Sequence, residues 1–216
     1  MTTSVALEPL RVRRLGVVDY DEALALQSEL LKRVGESWLL LLEHPHVYTL
    51  GVRARPEHVL VDPASVGATL VRTNRGGDVT YHGPGQLVGY PILDVAFRPG
   101  AVSAYVDSVE QVVIDALTDV GLDGTGRKPG YTGVWVEDRK IAAIGIRLTR
   151  GRSMHGFAIN VDPDLAMFEH IVPCGLHDFA VTSLAAEGIS RSIDEVAEAV
   201  EQRASEQWTV GMSVSA

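Results

Sequence analysis

The run Trp38–Leu42, five apolar residues closed by Glu43, most constrains the fold. It has strand length and no polar residue on either alternation, so it reads as a strand buried on both faces. Such a strand belongs inside a sheet that is covered on each side.

The flanking sequence supplies the cover. Residues 19–35 read as an amphipathic helix, with Asp19 or Asp21 at its start, Leu24, Leu30, Leu31 and Val34 near helical spacing, and Gly35 as the stop. Residues 102–120 form the clearest helix. Val102, Tyr105, Val106, Val109, Val112, Val113, Ala116, Leu117 and Val120 share a broad apolar face, and Gly121 ends it. A last helix starts near Ser192, where Ser192 and Glu195 make an S-x-x-E capping box ahead of Ile193, Val196, Ala197 and Val200.

Between these helices lie short strands. Val47–Gly51, Thr69–Arg72, Val79–Tyr81 and Leu87–Leu93 surround an irregular stretch at 52–68 that contains Pro56 and Pro63. Thr132–Val136, Lys140–Leu148 and Gly156–Val161 then form a meander. Hairpins outnumber strand–helix alternations. The expected class is therefore α+β, a two-layer α/β arrangement with a central mixed, mainly antiparallel sheet flanked by helices. No linker stands out, so residues 1–216 are expected to form a single domain.

Composition excludes several classes. The chain is 46% apolar and 22% charged, which is too apolar for wholesale disorder. No apolar run approaches the roughly 20 residues of a membrane span, and the first residues lack the apolar stretch of a signal peptide. The single cysteine cannot close an internal disulfide, which suits a reducing cytoplasm. A net charge of -9 argues against a general nucleic-acid binder. That charge is unevenly spread. Residues 1–155 carry 17 basic and 18 acidic side chains, whereas residues 156–216 carry 2 and 10. Local basic clusters stand at Arg11, Arg13, Arg14, at Arg53, Arg55, and at Arg147, Arg150, Arg152.

Candidate chemistry concentrates in three places. The loop Arg75-Gly76-Gly77-Asp78-Val79-Thr80-Tyr81-His82-Gly83-Pro84-Gly85-Gln86 lacks the spacing of a P-loop and of a dinucleotide fingerprint. Its glycines allow close backbone approach to a ligand, against the simpler reading of paired tight turns. Cys174 sits between Pro173 and Gly175 in a loop. It is either a small buried hydrophobe or a backbone-surrounded nucleophile. Lys140 opens an otherwise apolar strand. It is a turn lysine in water unless another group draws it in; beside Cys174 it would lower the thiol pKa. His44-Pro45-His46 has too few ligands nearby for zinc, so no metal is expected. His170, His177 and Asp178 near Cys174 leave a Cys–His–Asp hydrolase conceivable.

Taken together, these segments resemble the octanoyltransferase family of lipoate biosynthesis. The matching motifs are Arg75–Pro91, Lys140-Ile141-Ala142-Ala143-Ile144-Gly145, His155-Gly156-Phe157-Ala158-Ile159-Asn160, and Pro173-Cys174-Gly175 with Val181-Thr182-Ser183-Leu184. Glu43-His44-Pro45 with Val47–Gly51 fits the family's early segment. Matches run in family order from about residue 38 to 184.

The resemblance implies the catalytic fold of lipoate and biotin protein ligases. It implies transfer of an octanoyl group from an acyl carrier protein to a lysine of a lipoyl domain, in 2-oxoacid dehydrogenase complexes or the glycine cleavage H protein. By the same resemblance Cys174 carries the acyl thioester and Lys140 lowers its pKa. The substrate-binding positions implied are Arg75, Gly76, Gly77, Asp78, Val79, Thr80, Tyr81 and His82, then Ala143, Ile144 and Gly145, then Gly156, Phe157 and Ala158. No cofactor, nucleic acid or membrane is implied, and the chain is expected to be a monomer. An ATP-dependent ligase of the same fold, a cysteine hydrolase and a non-enzymatic acyl-binding module are the alternatives.

The chemistry closes energetically. A free thiol is only about 3% ionised at pH 7, and lowering its pKa by ~2 units takes about 2.7 kcal/mol, within reach of one nearby ammonium. Backbone N–H groups or His82 are the expected oxyanion donors. Arg147, Arg150 and Arg152 are expected to steer the acidic carrier.

Overall fold

A computed structural model describes residues 9–95, 98–172 and 180–209. Elements are numbered in chain order. The main sheet runs, in space, β1 (Arg11–Val17), β2 (Trp38–Glu43), β6 (Gln86–Ile92), β10 (Arg152–Asn160), β9 (Arg139–Thr149), β8 (Tyr131–Val136) and β7 (Thr125–Lys128). The short β11 (Ala180–Val181) pairs with the start of β9. β1 with β2 and β11 with β9 are parallel pairs, and the other pairs are antiparallel. A smaller sheet orders β4 (Thr69–Arg72), β3 (Val47–Leu50) and β5 (Val79–His82). The mixed, mainly antiparallel α+β class expected from the sequence is the observed one.

The five-residue apolar run is β2, and its two faces enter two cores. Leu39 and Leu41 pack in one cluster with α2 (Ala101–Asp119) and α3 (Ile193–Thr209). Leu40 and Leu42 pack in another with Ala23 and Leu30 of α1 (Tyr20–Leu30). The expected face of α2 is in place, with Tyr105, Val109, Val112, Val113, Ala116 and Leu117 all 1% exposed or less; Val102, in the first turn, is exposed instead. The capping box of α3 closes as expected. Ser192 N donates to Glu195 Oε2 at 2.8 Å, and Glu195 N donates to Ser192 Oγ at 3.2 Å.

Two boundaries shift by four or more residues from the sequence reading. α1 ends at Leu30, and Val34 is 79% exposed. The guanidinium of Arg152, from β10, donates to the carbonyl oxygens of Leu30, Leu31, Arg33 and Glu36, so a distant side chain terminates the helix. β10 begins at Arg152 rather than Gly156, because Arg150 and Gly151 (φ 52° and 76°) make a two-residue turn that extends the β9–β10 hairpin. β1, β7 and β11 have no counterpart in the sequence reading. β1 carries Arg11, Arg13 and Arg14, a charged strand at the sheet edge, where charge deters further pairing.

Candidate active site

One cleft of about 820 Å³ opens on the sheet face opposite α2 and α3. β9 and β10 contribute Lys140, Ala143, Ile144, Gly145, His155, Gly156, Phe157, Ala158 and Asn160 to its lining. The glycine-rich loop and β5 contribute Arg75, Gly77, Asp78, Val79, Thr80 and His82. Tyr20 of α1 and Gln86 and Tyr90 of β6 close the inner end, while Arg53, Arg55 and His58 lie along the rim. Twelve of the fourteen proposed substrate-binding positions, together with Lys140, thus share one space.

The other two, Gly76 and Tyr81, are not in the lining. Tyr81 is fully buried in the core of the small sheet, where its hydroxyl meets His46 Nδ1 at 2.7 Å. Gly76 ties the loop to the floor, since its N–H donates to the Ile146 carbonyl at 2.9 Å. Gly145 permits that approach, because a Cβ there would lie 3.0 Å from the Gly76 carbonyl oxygen and 3.3 Å from Arg75 Cδ.

Lys140 reaches the cleft because β9 is irregular. Trp135 pairs with Lys140 and Val134 with Ala142, so one residue of β9, Ile141, is left over between them. In a regular strand Lys140 would share a face with Ala142, which is in the helix-covered core. The extra residue puts Ile141 and Ala142 both in that core and sets Lys140 beside Ala143 on the cleft side. Gly133 of β8 makes the bulge possible. Its φ is +130°, and a Cβ there would stand 2.6 Å from the Ala142 carbonyl oxygen and 3.2 Å from Lys140 Cε. The Gly133 N–H is taken at 2.9 Å by Oε1 of Glu110, a carboxylate that α2 buries and Arg127 neutralises at 2.9 Å. The Lys140 ammonium lies 4.7 Å from the centroid of the Trp135 ring, within cation–π range.

Cys174, His177 and Asp178 lie outside the described residues. Their flanks are described. Val172 N donates to the His58 carbonyl at 2.9 Å, and Val181 is in register with Lys140 in the β11–β9 pair. The remaining histidine of the conceivable triad, His170, has its Nδ1 at 2.8 Å from the Tyr48 hydroxyl.

Polar groups hold the cleft walls in place. Arg75, only 7% exposed, donates from Nη2 to the Thr49 carbonyl at 2.7 Å and from Nε to Thr49 Oγ1 at 3.1 Å. Asp78 accepts from Val79 N at 2.7 Å and pairs with His58 at 2.8 Å. Three histidines of this region are buried. Burial lowers His44 to about 4. Burial, with His44 and then Arg75 adding to it, lowers His82 to about 3. Burial, then Arg75 and Arg147, lowers His155 to about 3. All three are therefore neutral at pH 7.

The H-x-H pair divides between sheets. His44 donates from Nδ1 to the Val18 carbonyl at 2.6 Å and accepts from the Tyr90 hydroxyl at Nε2, 2.8 Å away, whereas His46 meets Tyr81. Among the described residues no group of His, Cys, Asp and Glu is arranged to hold a metal, and no helix is long and apolar enough to cross a membrane.

The basic clusters are corrected by their surroundings. Arg152, expected to steer a carrier, is 3% exposed, pairs with Asp94 at 2.8 Å and caps α1. Arg14 pairs with Glu201 at 2.8 Å and Arg11 with Glu36 at 3.3 Å. Arg53 and Arg55 are the basic pair on the cleft rim. Sequence reasoning assigned no role to Tyr20, Gln86, Tyr90, Trp135, His155 or Asn160. Gln86, His155 and Asn160 stand inside the quoted motifs as polar residues among strand residues, which is the signal that marks them.

Residues 19–205 match the family model described as the lipoyl protein ligase A/B catalytic domain. An octanoyltransferase of Solibacter usitatus is 52% identical over 194 residues, 87% of each chain. An octanoyltransferase of Mycobacterium sp. strain KMS is 47% identical over 217 residues, 96% of this chain and 89% of that one. Solved structures share the fold at low identity. Lipoate-protein ligase A bound with ATP superposes with a TM-score of 0.79 at 18% identity, over 93% of this chain and 85% of that one. A bipartite lipoate protein ligase of Thermoplasma acidophilum gives 0.77 at 21%, over 92% and 83%.

Proposed function

The chain belongs to the octanoyltransferase family, within the lipoyl protein ligase A/B catalytic domain, and on that premise we propose that its cleft moves an octanoyl group from an acyl carrier protein to a lipoyl-domain lysine. The reaction has two steps. The Cys174 thiolate attacks the carrier thioester, and the carrier's pantetheine thiol leaves. The acceptor lysine, as a neutral amine, then attacks the acyl-enzyme and releases the Cys174 sulfur. Thioester exchange is close to neutral and thioester to amide runs downhill, so no ATP is consumed.

The observation that carries this reading is the displaced Lys140. A bulge, a glycine with positive φ and a buried glutamate together put an ammonium on the face where the strand from the Cys174 segment rejoins the sheet. A cation in that position favours the thiolate. Ala143, Gly145, Gly156 and Ala158 supply a flat apolar floor for the octanoyl chain. Arg53 and Arg55, with Arg147 and Arg150, offer the positive charge an acidic carrier seeks. The acceptors are lipoyl domains of 2-oxoacid dehydrogenase complexes and the glycine cleavage H protein. The chain acts in the cytoplasm as one domain and as a monomer.

Intact-protein mass spectrometry after mixing with octanoyl carrier protein tests this. The expected result is one octanoyl adduct, mapped to Cys174, that disappears when apo lipoyl domain is added. Release of free octanoate without acceptor, or transfer that requires ATP, would overturn it in favour of a hydrolase or a ligase.

A further inference from the structure

A chain of side-chain amides fixes where the proton sits on His82. The Thr182 carbonyl oxygen can only accept, so the Asn160 group 2.9 Å from it is the donor Nδ2. Asn160 Oδ1 is then turned toward Gln86, whose Nε2 donates to it at 2.9 Å. Gln86 Nε2 also reaches the Tyr81 carbonyl at 3.3 Å, which requires the same orientation. Gln86 Oε1 is left for His82 Nδ1, 2.7 Å away. An oxygen acceptor at that distance demands an N–H, so the proton is on Nδ1 and Nε2 carries a bare lone pair. No described residue hydrogen-bonds to Nε2. Unlike His155 Nδ1, it is not sealed inside the protein, and His82 lies in the cleft lining.

The groups around His82 hold it neutral. Tyr20 of α1 stacks on it at 6.1 Å, and the neutral His44 ring stands at 5.7 Å. Gln86 from β6 and Asn160 from β10 bring no charge. Arg75 and His155 complete the surroundings; burial is the main obstacle to protonation, and the Arg75 cation adds to it. A neutral imidazole with its only N–H engaged cannot donate to an oxyanion, so His82 is excluded from the oxyanion role its motif suggested.

We propose that His82 is a catalytic hydrogen-bond acceptor for the second half-reaction, with Gln86 and Asn160 as its positioning residues. This rests on the transferase reading above. Nε2 accepts one N–H of the incoming lysine's neutral amine and aims the amine lone pair at the acyl carbon. The nitrogen–carbon bond forms, the carbon–sulfur bond breaks with its electron pair going to sulfur, and the surplus amine proton ends on that sulfur as a thiol. His82 finishes the step in the state in which it began. The Arg75 cation favours the neutral amine over the ammonium at this place.

Three measurements test the proposal. In ¹⁵N-histidine NMR of the wild-type chain, His82 is expected to show the Nδ1–H tautomer and to stay unprotonated down to pH 5; the Nε2–H tautomer would overturn the proposal. Kinetically, His82→Phe keeps an aromatic ring and removes the acceptor. Transfer from the preformed adduct to apo lipoyl domain is expected to fall about 10- to 100-fold, a larger factor than any loss in octanoyl adduct formation from carrier protein. Equal losses in both half-reactions, or none, would overturn the role. Gln86→Glu places a carboxylate beside Nδ1 and raises the His82 titration, so transfer falls more steeply with acid than the wild-type profile set by the acceptor amine; a profile parallel to wild type counts against the proposal. Absence of any adduct on the wild-type chain would instead bring down the transferase reading itself.

Discussion

The two faces of the main sheet are built from the same strands and could hardly differ more. On one, Leu39, Leu41, Leu87 and Ile159 meet the apolar faces of α2 and α3. On the other, past the patch covered by α1, Gln86, Tyr90, His155 and Asn160 come forward with Arg75 and His82. The period of two in a strand makes this division available to every strand. What separates the faces is cover. Helices can seal an aliphatic face, whereas the uncovered face carries polar groups that hydrogen-bond one another and hold a cleft open. Mutations should therefore sort by face, with cleft substitutions costing rate and helix-side substitutions costing stability.

The largest expected effect is on the cleft side. Cys174→Ala or Lys140→Met should lower octanoyl transfer by about 10³-fold or more, with the thermal midpoint nearly unchanged. Circular dichroism melts beside a transfer assay check this, and a Lys140→Met chain with undiminished turnover would break the division. On the opposite face, Leu117→Ala removes a fully buried side chain between α2 and the sheet. It should cost about 2–5 kcal/mol in urea unfolding while transfer per folded molecule holds.

Gly133→Val tests the point where the faces communicate. A Cβ there collides with the Ala142 carbonyl and crowds Lys140. Transfer should fall about 10- to 100-fold, with an accompanying loss of about 1–3 kcal/mol. Thiol titration with iodoacetamide should show the Cys174 pKa rising with it.

Acid should act on the cleft face first. His44, His82 and His155 are lowered to about 4, 3 and 3 in the folded chain, against 6.5 when unfolded. Below pH 6.5 the unfolded chain binds protons the folded chain refuses, so their stabilisation is complete above 6.5 and is lost as pH falls toward 3. Each contributes a slope of up to about 1.4 kcal/mol per pH unit. Urea midpoints measured from pH 7 to pH 4 should drop, and His155→Gln should flatten the curve. The smallest effect expected is Ser192→Ala, which opens the α3 capping box for about 1 kcal/mol and leaves transfer intact.

Legibility followed the range of the interactions involved. β2 was readable to the residue because five apolar side chains in a row have few places to go, and the capping box because its two partners are three residues apart. The end of α1 was not readable. Its stop signal in the sequence is Gly35, but the group that ends it, Arg152, lies more than 115 residues away. The cleft shows the same contrast. Its glycine loop and apolar floor are visible as motifs, while Tyr20, Tyr90 and Trp135 look like ordinary core residues until the fold turns them toward one space.

By itself the sequence determined the strand-rich α+β class, the two-sided burial of β2, the helix carrying the broad apolar face, and the motifs that place the chain in its family, because each is set by local periodicity or by short spacings. Only the tertiary structure decided that Lys140 faces the cleft rather than the helices, since one extra residue in β9 reverses the alternation that sequence parity would give. It also decided the tautomer of His82, because that proton is fixed through Gln86 and Asn160 by a main-chain oxygen one hundred positions along the chain.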